Sequence, residues 1–243
     1  MASHGKSRHV KSLAAPIAQT ISRKATKFVA KPLPGTHKLK ESIALVALLR
    51  DVLKIVDMAR QAQALLKKGA VTVDGRPAKD LRQPIGLMDV VAIPTVKKAW
   101  RIVLVKRKLV PKEVRETEAS SKLCKIVGKT SLAKGKIQLG LHDGRSYVIS
   151  QEEDRFSLGD TIKLTLFPEQ RLAEFFKLEP GAKCYVSHGK HSGKTATLKE
   201  LIERPGSFAT EAKLEREGQE LITLKDYLFA VPKDFEEPYP KKA

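Results

Sequence analysis

The sequence predicts an α+β protein built as several small domains in series. A basic N-terminal extension covers residues 1–41 and a helix–helix–hairpin module covers 42–105. A central β-rich domain follows over 106–175, then a second small β-module over 176–232 and a C-terminal tail over 233–243. Three observations predict this layout. The length of 243 residues exceeds one small core and suits two or three small domains. The apolar spacing changes from helical over 43–66 to alternating from residue 71 onward. The charge is lopsided: 46 Lys and Arg against 27 Asp and Glu, a net +19, with no acid in the first 40 residues.

That charge bounds the function. Hydrophobic residues make up 42% of the chain, so most of it can fold, and the 5% aromatic content makes its cores mainly aliphatic. A surplus of this size repels itself and is tolerated most easily when a polyanion neutralises it. A membrane is the competing polyanion. The longest apolar run, "IALVALL" at 43–49, stops at Arg50 and Asp51, short of the ~18 residues of a spanning helix. The N-terminus has no signal-peptide pattern. Two isolated cysteines, Cys124 and Cys184, fit a reducing cytosol better than a disulfide framework. Nucleic acid is therefore the expected partner, and no membrane is expected.

Residues 1–40 carry Lys6, Arg8, Lys11, Arg23, Lys24, Lys27, Lys31, Lys38 and Lys40, together with His9 and His37, among prolines and glycines. No sustained apolar period runs through them, so they cannot bury enough surface on their own to offset their ordering entropy. They read as an arm that orders against a phosphate backbone.

The pattern changes at Ser42, which is placed to cap a helix through Ile43, Leu45, Val46, Leu49, Val52 and Leu53. A second helix starts near Asp57, buries Ala62, Leu65 and Leu66, and ends at Gly69. "VTVDGRPA" alternates and turns at Asp74-Gly75, a type I′ hairpin signal, and "DVVAIP" is a further strand. Arg50, Arg60, Lys67, Lys68, Arg76 and Lys79 are available along one rim. Spaced cations on a rigid surface can follow the backbone of a folded RNA, which is recognised largely by shape.

"WRIVLV", the two runs around His142-Asp143-Gly144-Arg145, and "GDTIKLTLFP" read as strands of a β-domain with one covered face. The carboxylates of "EEDRF" lie in a polar loop with no paired histidine or metal-ligand spacing, and read as surface charge.

"YVSHGKHSGKTAT" (185–197) looks like a phosphate-binding loop but fails the test. That loop needs four residues between its glycines before Gly-Lys-Ser/Thr. Gly189 and Gly193 have three, and His188 stands where the first glycine belongs. No βαβ repeat surrounds it. It reads as a hairpin loop in which Gly189 and Gly193 allow the reversal and Lys190, His191 and Lys194 project. The pair His188 and His191 has no third ligand nearby, so no metal is expected. No cofactor or small-molecule substrate is expected either.

Resemblances sharpen these readings. Arg50-Asp51, Ala59-Arg60, Gly69-x-Val71-x-Val73 and Asp74-Gly75 resemble the S4 RNA-binding domain, which implies that Arg50, Arg60, Lys67, Lys68 and Arg76 contact RNA. Gly181, Val186, Gly189, Gly193 and Leu198 resemble the KOW motif of SH3-like barrels, with His188 and Ala196 where glycine is common. The order of parts, with "HVKSLAAP", "PLPGTHKLKESIAL", "GLMDVVAIP" and "GDTIKLTL", resembles the archaeal and eukaryotic small-subunit ribosomal protein S4e family. The tryptophan common just after "AAP" in that family is absent here. The resemblance implies a non-catalytic structural role in the cytoplasm, on small-subunit rRNA and beside neighbouring ribosomal proteins. Two other readings compete. An RNA-modifying enzyme with an S4-like handle would need an Asp in a "GRLD" turn, and "HDGRSY" has none there. A KOW-containing transcription or translation factor would leave the basic arm unexplained.

Overall fold

The computed structural model describes residues 9–167, 170–204 and 209–235. The chain divides into two compact units. The first comprises Met1–Ile102 and Lys108–Glu116, the second Val103–Arg107 and Thr117–Ala243.

The first unit opens on a small ribbon, β1 (Val10–Lys11) antiparallel to β2 (Phe28–Val29). The arm expected to order only against RNA is already fastened to its own protein over residues 9–40. The Gln19 side-chain amide donates to the Ser42 carbonyl at 3.1 Å. The Thr20 hydroxyl donates to the Leu109 carbonyl at 2.6 Å. Backbone N–H groups of Leu33 and Leu109 donate to the carbonyls of Arg82 and Ala18, both at 2.8 Å. Ser12, Ala15, Gln19 and His37 are buried. The segment needs no core of its own because it uses that of its neighbour, and such docking leaves no period in the sequence.

Ser42 does not cap a helix. Its hydroxyl donates back to the Lys38 carbonyl at 2.9 Å. Ile43–Ala44 form β3, so the helix begins only at Leu45, as α1 (Leu45–Ala47), and continues as a π-turn over Leu48–Val52. Residues 43–49 are all buried, and a wholly buried run cannot be assigned to strand or helix from its period. α2 (Ala59–Lys67) buries Ala62 and Leu66. The Gln61 side-chain oxygen accepts the N–H groups of Asp57 and Met58 at 2.9 and 3.2 Å, and so satisfies donors at its start.

The hairpin follows as β4 (Thr72–Val73) and β5 (Arg76–Pro77), turning through Asp74 (φ 50°) and Gly75 (φ 76°). Two positive φ values define the type I′ turn. β6 (Pro84–Ile85) pairs with β3. β7 (Val90–Ile93), β8 (Lys98–Val105) and β9 (Lys108–Val114) complete a sheet of order β5-β4-β7-β8-β9. The expected boundary at 105 thus cuts a hairpin, because β9, "KLVPKEV", carries a proline and three charges that hide its strand character.

The second unit holds two five-stranded antiparallel sheets. β10 (Ser121–Leu132), β11 (Lys136–Leu141), β12 (Ser146–Ser150), β13 (Thr161–Thr165) and β14 (Arg171–Phe176) order as β12-β11-β10-β13-β14. A register shift between Ile126 and Gly128 lets one half of β10 pair with β13 and the other with β11. Cys124, Ile126, Leu139, Ile149, Ile162 and Leu164 fill its core. β15 (Lys183–Val186), β16 (Thr195–Ile202), β17 (Glu211–Arg216), β18 (Gln219–Leu224) and β19 (Leu228–Ala230) order as β18-β17-β16-β15-β19, over Cys184, Val186, Leu198, Leu214 and Leu228. Sheets dominate both units, and helices are few.

One ion pair lies inside the first of these sheets. The Lys122 ammonium is 2.8 Å from the Asp143 carboxylate, with side chains 1% and 0% exposed. Arg145 approaches the same oxygen at 3.2 Å. Burial alone would raise the Asp143 carboxyl, but Lys122, with His142 and the Arg145 N–H, outweighs it and holds it below the usual carboxylate range. A carboxylate depressed in the folded state contributes stability above its unfolded pKa and loses it as pH falls through the folded one. Asp143→Asn should therefore destabilise the protein at pH 7 by about 3–5 kcal/mol in urea unfolding, because it strands a buried ammonium. The deficit against the wild type should be constant above about pH 5 and narrow below about pH 4.

Candidate nucleic-acid interface

α2 and the β4–β5 hairpin present one set of cations. Arg60, Lys67, Lys68, Arg76 and Lys79 are all exposed. The only acid between Ala59 and Lys79 is Asp74, which is buried and accepts the Val90 N–H at 2.9 Å. The amphipathic spacing of α2 buries Ala62 and Leu66 and thereby turns Arg60 and Lys67 outward. Arg50 differs from the rest. Its guanidinium is clamped by both oxygens of the adjacent Asp51, at 2.6 and 2.9 Å. The bond to Asp51 raises its pKa above the ordinary value despite partial burial. Its charge is largely answered within the protein.

The N-terminal lobe presents a second set. Lys11, Lys24, Lys27 and Lys38 are exposed, as is His9, and Lys31 is half-buried. Lys6 and Arg8 lie outside the described residues. Arg23 is partly structural, donating to the carbonyls of Leu13 and Pro16 at 3.1 and 3.4 Å. His37 is not a surface contact at all. Its Nε2 lies 2.9 Å from the Asp89 carboxylate, both side chains are buried, and the Gly86 N–H donates to the same carboxylate at 2.8 Å. A Cβ on Gly86 would fall 2.4 Å from the imidazole. His37 therefore locks the lobe to the module, and its place beside lysines in the sequence hid that.

The 187–194 loop joins two antiparallel strands, β15 and β16, and no helix follows it, as the failed phosphate-loop test requires. Val186 and Lys194 close it through N–H···O at 3.0 Å, and the Gly193 N–H donates to Val186 at 2.8 Å. Gly189, Lys190 and Lys194 are exposed. His191 is half-buried; that burial, with Lys194 and Lys190, holds its imidazole below the usual histidine range. Gly193 has an internal task. At φ 88° it passes so close to the second unit's own backbone that a Cβ would lie 2.5 Å from the Leu104 carbonyl oxygen.

Two features were not anticipated. Lys106 and Arg107 sit at the β8–β9 turn, both at positive φ (46° and 69°) and both exposed with Lys108. The signal was present as "VLVKRKLV", three cations between apolar runs. Lys125 had no signal. It is buried, donates to the carbonyls of Lys225 and Asp226 at 3.4 and 2.8 Å, and is pushed down to about 8 by that burial. Cys124, His142 and Asp143 gather donor atoms within 4.8 Å of one another. With Lys122 and Arg145 already against Asp143, the cluster is a buried ion pair with its cation in place and does not fit a metal. Among the described residues no helix is long and apolar enough to cross a membrane.

Family models match three segments of the chain. Residues 4–40 match the RS4NT (NUC023) domain, 52–91 the S4 domain, and 96–171 the ribosomal family S4e. The small ribosomal subunit protein eS4 of Methanocaldococcus jannaschii is 42% identical over 241 residues, covering 95% of this chain and 96% of that one. The chain belongs to the S4e ribosomal protein family. The S4e protein of Methanothermobacter thermautotrophicus, also named small ribosomal subunit protein eS4, is 38% identical over 96% of each chain. A crystal structure of the 30S ribosomal protein S4e from Thermoplasma acidophilum matches with a TM-score of 0.67 at 29% identity, covering 80% of this chain and 96% of that one.

Gly193→Ala should leave the S4e chain folded in its first unit and destabilise the second by about 2–4 kcal/mol. A positive φ and a backbone clash would add at one position. Urea unfolding followed by hydrogen exchange of β15 and β16 reads it directly.

Proposed function

We propose that this chain is a structural protein of the small ribosomal subunit that binds and stabilises small-subunit rRNA during assembly and translation, without catalysis, in the cytoplasm. Its other partners are then neighbouring small-subunit ribosomal proteins. The observation that carries the reading is the full-length S4e relationship, met by cations displayed on ordered elements rather than on a loose tail. In this reading the rRNA backbone is followed by Arg60, Lys67, Lys68, Arg76 and Lys79 on the S4-like module. His9, Lys11, Lys24, Lys27, Lys31 and Lys38 serve at the N-terminal lobe, preceded in the sequence by Lys6 and Arg8, with Arg23 and Arg50 as partial contributors. The C-terminal sheet is read as a KOW SH3-like barrel, supported by its five antiparallel strands and the tight 187–194 loop. Its phosphate contacts would be Lys190, His191, Lys194 and the exposed Gly189 backbone. Gly193 serves by shaping the loop.

Mechanistically this is charge neutralisation on a preshaped surface. Each phosphate met by a cation releases bound counterions and adds about 0.9 to the slope of log K against log salt on duplex-like nucleic acid. Ordering of these elements before binding spares the ordering entropy that a disordered segment meets at the moment of binding. The triple variant Arg60→Glu, Lys67→Glu, Lys68→Glu tests it, since all three side chains are exposed. Its thermal midpoint should stay near the wild type. Its affinity for a small-subunit rRNA transcript should fall, with the salt slope reduced by about 2–3. An unchanged slope removes α2 from the interface.

A further inference from the structure

The N-terminal lobe displays an aromatic ring that its own fold covers only in part. Phe28 is 47% exposed, although its backbone is held from several sides. It faces Lys11 in the β1–β2 ladder. The Ser12 N–H donates to the Lys27 carbonyl at 3.0 Å and the Ser12 hydroxyl donates to the Thr26 carbonyl. The Thr26 hydroxyl donates to the Phe28 carbonyl at 3.0 Å. A ring on so tied a backbone is presented to solvent by the fold, not by chain mobility.

The surroundings of the ring select its partner. The His9 imidazole lies 5.6 Å from it, centroid to centroid, at an interplanar angle of 55°. The Lys27 ammonium lies 5.6 Å from the ring centroid. Lys11 and Lys24 are exposed on the same lobe, and no acid occurs in residues 1–40. An apolar protein surface covering Phe28 would have to desolvate these cations without compensation. An unpaired nucleotide offers both what the ring needs and what the cations need: a π-face for stacking and a phosphate on either side.

We propose that Phe28 is a stacking platform for an unpaired base of single-stranded RNA, with His9 backing the ring and Lys11 and Lys27 taking the flanking phosphates. The proposal rests on the rRNA-binding reading and adds to it a specific place where a base leaves its helix. Stacking of one base on one aromatic ring corresponds to about a 5- to 150-fold change in Kd, which is about 1–3 kcal/mol. It releases no counterions, so the salt slope separates it from the phosphate contacts.

The test compares the full chain with Phe28→Leu and Phe28→Trp. The probes are a small-subunit rRNA transcript and a single-stranded oligoribonucleotide carrying 2-aminopurine, whose fluorescence falls on stacking. Phe28→Leu should weaken transcript binding by about 5- to 150-fold at an unchanged salt slope, and Phe28→Trp should restore it. The wild type and Phe28→Trp should quench the 2-aminopurine signal at saturation. Equal transcript affinity for Phe28→Leu, or no quenching by the wild type, overturns the proposal. So does a Phe28→Leu defect that appears only as lost retention in reconstituted subunits while RNA affinity holds, which would make the ring a protein contact. If Phe28→Leu fails to fold by circular dichroism, the wild-type and Phe28→Trp quenching decide alone. Failure of the broader reading looks different: the wild type itself would show no salt-dependent binding to the transcript.

Discussion

Like-charge repulsion is the constraint on which the rest of this structure depends. A chain with a net charge of +19 can stay compact only if its cations are kept apart, answered internally, or turned toward an external anion. The molecule does all three, and does so by region. Inside the second unit, Lys122 is buried only because Asp143 is within 2.8 Å of it. Lys125 is buried against a pair of backbone carbonyls, and that burial lowers its pKa. On the last sheet, Lys199, Arg204 and Lys213 face Glu220, Glu211 and Glu200. Such exposed pairs add little stability, but they leave that surface near neutrality. The surplus is confined to the first 140 residues, and beyond them acids slightly outnumber bases.

Rigid display follows from the same constraint. Cations on a disordered tail could separate freely, whereas cations fixed on short elements need an independent reason to stay. Here that reason is hydrogen bonding that leaves the lysines unused. Gln19 to Ser42, Thr20 to Leu109 and His37 to Asp89 fasten the N-terminal lobe without consuming its lysines. α2 is anchored by Ala62 and Leu66 and started by Gln61, again without using Arg60 or Lys67. Arg50, in contrast, is spoken for by Asp51. Membership of the S4e family and this division between internally answered and outward cations point to the same polyanionic partner.

Legibility in the sequence tracked the range of the interactions. The Asp74-Gly75 turn was readable because a type I′ turn is set by two residues. The outward set on α2 was readable because helical spacing is local. The failed phosphate loop was readable from a single missing residue. What was hidden depends on contacts between distant residues. The order of residues 9–40 rests on partners such as Asp89, 52 positions from His37. The late start of α1 rests on pairing of Ile43 with Ile85. Gly193 looked like a loop residue, but its steric need comes from Leu104. Nothing in the sequence around Lys122 and Lys125 announces Asp143 or the carbonyls of 225 and 226.

The central claim is that outward lysines meet RNA while internally answered ones do not. Lysine acylation read by mass spectrometry, on the full chain free and bound to a small-subunit rRNA transcript, tests it residue by residue. Lys67, Lys68, Lys79 and Lys190 should react in the free protein and be protected in the complex. Lys199 and Lys213 should react in both states, and Lys122 in neither. If Lys67 and Lys68 react equally with and without the transcript, the account of this surface is wrong.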